Sequence, residues 1–105
     1  MAGTLSALGI VAATAVLSVG LVTAGSAAVA GQRLASAADS AALAAADTAS
    51  GAEIGVPCDR AAEVAATFGA VVSSCALDGL IATVSVTGTF LRWQTTASAR
   101  AGPPQ

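Results

Sequence analysis

The chain has no histidine, no lysine and no tyrosine. Without histidine there is no His-based nucleophilic triad, and most zinc sites lose their commonest nitrogen ligand. Without lysine, the bases reduce to Arg33, Arg60, Arg92 and Arg100, which leave the chain at a net charge of −2 and give no footprint for nucleic acid. Two cysteines are too few for a four-thiolate zinc cluster, and Cys58 and Cys75 lack the C-x-x-C spacing of a redox motif. The glycines form no phosphate-binding loop. Aromatic residues make up only 3% of the 105 positions, so a core drawn mainly from alanine and valine buries little area per residue.

The acids are few and scattered. Asp39 and Asp47 fall in an alanine-rich run, Glu53 in a loop, Asp59 and Glu63 four apart on a short helix, and Asp78 in a turn. A cap plus a solvated face accounts for Asp59 and Glu63 better than a paired-acid site does. No residue is singled out as catalytic, metal-ligating or cofactor-binding. The expectation is a protein that is not an enzyme, with no cofactor and no small-molecule substrate.

What the chain does have is apolar length. It is 55% hydrophobic, and no side chain from Met1 to Gln32 is charged. As a helix, residues 5–31 reach about 40 Å at ~1.5 Å per residue, enough to cross a hydrocarbon core of ~30 Å. This predicts a single transmembrane helix. The alternative is a signal peptide cut near Ala30, because "AVA" before Gly31 is a small-residue processing pattern, but the run is long for that role. Arg33 alone would place the following part in the cytoplasm. The cysteine pair points the other way, to a structural bridge in an oxidising compartment, and an extracytoplasmic C-terminal part is the reading taken.

Nothing between Gly31 and Gly51 breaks a helix, so the span is expected to continue to residue 50. At 100° per residue, Gln32, Ser36, Asp39, Ser40, Asp47 and Ser50 gather on one arc, with Leu43 as an apolar intruder, and Leu34, Ala38, Ala41, Ala45 and Ala49 lie opposite. A seam of small residues, Gly20, Ala24, Ala28 and Gly31, runs back into the span and, with Ala38 and Ala45, is the candidate helix-packing face. Arg33, Asp39 and Asp47 are the candidate polar or inter-subunit contacts. Six residues separate Arg33 from Asp39, which pairs poorly within one helix and better between two copies.

After Gly51 the composition changes. Asp59 is expected to cap a short helix through Phe68, with Ala61, Val64, Ala65 and Phe68 on its apolar face and Gly69 as its stop. Asp78-Gly79 reads as a two-residue hairpin turn, pairing Leu77 with Leu80, Cys75 with Ala82, Ser73 with Val84 and Val71 with Val86. A third strand is expected around Phe90 to Trp93, and Trp93 reads as partial core or an interfacial anchor. The fold class is therefore α+β, in three parts: a transmembrane and amphipathic helix over 1–50, a small disulfide-stapled module over 51–98 and a flexible tail over 99–105.

The uncharged span, "AGQRLASAADSAALAAA" over residues 30–46, the two cysteines and the closing "ARAGP" together resemble the actinobacterial TadE-like proteins of the TadE/TadG group. The likeness covers most of the chain and is most specific at Ala37 to Ala46, Cys58, Cys75 and Ala99 to Pro103. It implies a pilin-like layout and a membrane-anchored pseudopilin-like component of Flp-type (tight-adherence) pilus assembly, processed by a prepilin-type peptidase. Its partners would be the membrane and other pilin-like or Tad assembly proteins, or further copies of itself, met through helix packing. The competing function is a small secreted binding module released near Ala30.

Overall fold

The computed structural model of the protein describes residues 2–104. Two helices are followed by three strands: α1 (Ala2–Ala49), α2 (Pro57–Thr67), β1 (Val71–Asp78), β2 (Ile81–Phe90) and β3 (Trp93–Ala101). The strands form one antiparallel sheet in the order β1-β2-β3. This is an α+β, pilin-like layout, a long N-terminal helix whose outer half lies on a small sheet. At ~1.5 Å per residue the 48 residues of α1 measure about 72 Å, so this one helix sets the 75 Å long axis of the molecule.

The two halves of α1 live in different surroundings. Every described side chain from Gly3 to Val29 is exposed, whereas Leu34, Ala37, Ala38, Ala41, Ala42, Ala45 and Ala46 are buried. Steps of three and four residues keep these positions on one face of a 3.6-residue helix. They pack against Ala61 and Ala65 of α2 and against Ala82, Val84 and Val86 of β2. The polar arc faces away: Gln32, Ser36, Asp39, Asp47 and Ser50 are exposed, Ser40 is half-buried, and Leu43 among them is exposed.

Both helices end in the same device. Beyond Ala49, Ala52 N–H donates to the Asp47 carbonyl and Gly51 N–H to that of Thr48, with Gly51 at φ 87°. Beyond Thr67, Ala70 N–H donates to Ala65 and Gly69 N–H to Ala66. These are Schellman closures, which satisfy the last carbonyls and need a left-handed residue that glycine supplies without strain. At its other end α2 departs from expectation. It begins at Pro57, whose missing N–H costs nothing in the first turn, and Val56 precedes it with no side-chain cap. Asp59 lies in the first turn, where its charge favours the helix dipole.

The hairpin register also differs from expectation. Asp78 pairs with Ile81, so the turn is Gly79-Leu80, and Cys75 faces Val84 and Leu77 faces Ala82. Glycine at the first turn position with φ 62°, followed by a residue at negative φ, fits the type II′ geometry rather than the type I′ that an Asp-Gly pair favours. The register then slips between Val72 and Ser74, leaving Ser73 as a bulge. One extra residue reverses the alternation, so Val72 turns toward the core and Val71, expected inside, is exposed. The third strand is also longer and later than expected. Phe90 pairs with Trp93 across a Leu91-Arg92 turn, and Ala99, Arg100 and Ala101 pair with Val84, Thr83 and Ala82, so residues 99–101 belong to the sheet rather than to a tail.

Close approach of helix to sheet depends on methyl-sized side chains at the α1 contact, because a larger group there has no void to enter. Ala41→Leu is expected to destabilise the module by about 1–3 kcal/mol. Amide hydrogen exchange of β2 in the detergent-solubilised protein checks this, with protection in β2 falling about fivefold or more.

Candidate functional site

Two hydroxyls in the apolar half of α1 are satisfied by the helix itself, as a lipid-embedded helix requires of its polar groups. Thr14 Oγ1 donates to the Ile10 carbonyl at 2.8 Å, and Ser26 Oγ to that of Val22 at 3.0 Å. Both of these hydroxyls fold back onto the preceding turn, which lowers the cost of placing them in an apolar medium. The helix is long and apolar enough to cross a membrane.

The six candidate packing residues divide between two environments. Gly20, Ala24, Ala28 and Gly31 are exposed on the free half of α1. Ala38 and Ala45 are fully buried against the protein's own α2 and sheet. The seam is thus consumed within the chain from Leu34 onward and open before it.

Arg33 lies where the two regimes meet. Its Nε donates to the Phe68 carbonyl at 3.3 Å, placing a cation at the C-terminal end of α2, where the helix dipole favours it. Asp39 and Asp47 are exposed, and among the described residues the ion pairs are both made by Arg60. Arg60 reaches Glu63 Oε2 at 2.7 Å and Glu53 Oε2 at 3.9 Å, joining the loop after α1 to α2. Glu63 is therefore engaged by a base and is not paired with Asp59. Among the described residues no group of three or more His, Cys, Asp or Glu is arranged to hold a metal ion.

Cys58, in the first turn of α2, is bonded to Cys75 in the middle of β1, with the Cα atoms 5.9 Å apart. The bulge at Ser73 lies between Val72 and Cys75, so both turn toward the core and the α2 terminus can reach the sulfur. The bridge joins the one helix that is not continuous with α1 to the edge strand farthest from β3.

Sequence reasoning placed a strand around Phe90 to Trp93 and missed the turn there, at Leu91-Arg92, that forms the β2–β3 tip. Leu91 occupies its first turn position at φ 58°, a left-handed conformation unusual for a branched side chain, and both Leu91 and Trp93 are exposed. Its only sequence signal is the spacing of Phe90 and Trp93 around a two-residue turn.

In oxidised protein, thiol alkylation should leave the intact mass unchanged, and two adducts should appear after reduction. Replacing both Cys58 and Cys75 by serine opens a 17-residue loop and should cost about 3 kcal/mol, measured as faster amide exchange in α2 and β1. No family model matches the chain, and neither does any curated protein or solved structure.

Proposed function

We propose that the protein is a single-pass, membrane-anchored minor pseudopilin or assembly component of a Flp-type (Tad) pilus or related secretion apparatus. The observation that carries this reading is the division of α1: one unbroken helix, bare and apolar as far as Val29, packed on a sheet from Leu34. Such a helix can pass from bilayer to a bundle of like helices while its backbone hydrogen bonds stay internal. The open seam of Gly20, Ala24, Ala28 and Gly31 suits close packing against a neighbouring helix. The likeness of residues 30–46 and 99–103 to TadE-like proteins supports the same assignment. The disulfide supports an extracytoplasmic module, since such bonds persist in oxidising compartments.

A secreted module released near Ala30 is the second reading. It draws on the fact that burial starts only at Leu34, so a cut at Ala30 leaves every buried residue with the module.

Carbonate extraction of native membranes separates the two. The anchor reading expects full-length chain in the pellet, and its release as soluble protein overturns it. The secreted reading expects an intact mass lacking residues 1–30. For the assembly itself, Asp39 of one copy is taken to face Arg33 of the next. Asp39→Arg should lower recovery of cross-linked oligomers several-fold, and Arg33→Glu in the same chain should restore it.

A further inference from the structure

All three aromatic residues of the protein gather at one end of the module. Phe68 and Phe90 line a single cleft with Ala30, Arg33 and Leu34, and Trp93 is the cross-strand partner of Phe90. That end is the one next to the bare half of α1. Leu80, in the turn just before β2, shares a depression with Ala46 and Asp47, whereas Gly88 abuts Leu34, a Cβ there coming within 3.0 Å of Leu34 Cδ1. Eight residues of strand thus run alongside about twelve or thirteen of helix in the reverse direction. Continuing at the same rate, the turn at Leu91 comes level with about Val29, where the exposed apolar surface of α1 begins.

The charges are sorted along the same axis. Arg33 and Arg92 lie at this end, and none of residues 28–36, 68–70 or 88–95 is acidic. The six acids are at Asp39, Asp47, Glu53, Asp59, Glu63 and Asp78, all outside those segments. Leu91 is 75% exposed and Trp93 73% exposed, so neither contributes to the core. Leu91 moreover holds a conformation that glycine would adopt without strain. Trp93, a ring with an apolar body and a polar N–H, matches the interfacial layer of a bilayer, the apolar Phe90 and Leu91 beside it match the edge of the acyl chains, and Arg92 matches the phosphates.

We propose that the β2–β3 tip, through Phe90, Leu91, Arg92 and Trp93, seats in the headgroup layer of the bilayer that α1 spans, and so sets the depth of the span. Counting back about 20 residues from Val29, the length needed to cross, reaches Gly9, which leaves the seam of Gly20, Ala24 and Ala28 within the hydrocarbon. The occupant is a phospholipid surface with some anionic headgroups. The inference rests on the membrane-anchor reading.

Trp93 is the only tryptophan and the chain has no tyrosine, so its fluorescence reports the tip directly. The full chain is reconstituted into vesicles of zwitterionic and anionic phospholipid carrying bromine either near the headgroup end of the acyl chain or near its methyl end. Vesicle flotation establishes insertion in the same samples. The expected result is a blue-shifted emission, quenched about twofold more by the shallow bromines than by the deep ones. In Leu91→Gly, which suits the turn and keeps the fold, that quenching should fall by about half. Quenching unchanged in this variant overturns the role of the leucine. Flotation without any bromine quenching overturns the tip contact and leaves the anchor standing. A blue shift that grows with protein density but ignores bromine assigns the tip to a second copy and also overturns it. Failure to float overturns the anchor reading and the tip contact with it.

Discussion

The structure depends on how closely a helix and a sheet approach when nearly everything between them is a methyl group. On the buried side of α1 stand Leu34 and six alanines, and the facing residues are Ala61, Ala65, Ala82, Val84 and Val86. Each burial is worth little, since apolar area contributes roughly 25 cal/mol per Å². Short side chains also lose almost no rotamer freedom, and they let backbones approach and gain dispersion contacts along their whole length. The contact is therefore strong only as a continuous ridge. This is why residues 51–101 are not separable from α1: half of their core is supplied by residues 34–46.

That dependence gives the disulfide its place. The sheet is held centrally, because β2 pairs on both edges and lies on α1, while α2 packs on α1 through the small side chains of Ala61 and Ala65. The Cys58–Cys75 bond ties α2 to β1, and the Arg60 pairs with Glu53 and Glu63 fasten the loop on its other side. A module with so little large hydrophobic volume belongs to the class of small folds that need such a staple.

The helical face was legible because its evidence is periodic: the sorting of Asp39 and Asp47 from Ala38, Ala41 and Ala45 follows from 3.6 residues per turn over many residues. Strand detail was less legible, for local reasons. Asp78-Gly79 carries a strong turn signal, yet the chain turns one residue later, and Ser73 then bulges, so two single-residue slips decide which side of β1 faces inward. In β3 the inward positions are Ala97, Ala99 and Ala101, whose small side chains do not stand out against an alanine-rich background. The gathering of Phe68, Phe90 and Trp93 depends on two turns and a helix end and has no linear signature at all.

Because α1 runs unbroken from its bare half into its packed half, the module has no hinge of its own relative to the span. From Val29 to Ala49 the helix extends about 30 Å at ~1.5 Å per residue. A span tilted by the usual ~20° would carry the far end of the sheet about 10 Å sideways, with the membrane surface as fulcrum. The helix is in this sense a lever: bilayer thickness and neighbouring spans, by setting its tilt, also set where the polar face bearing Asp39 and Asp47 is presented.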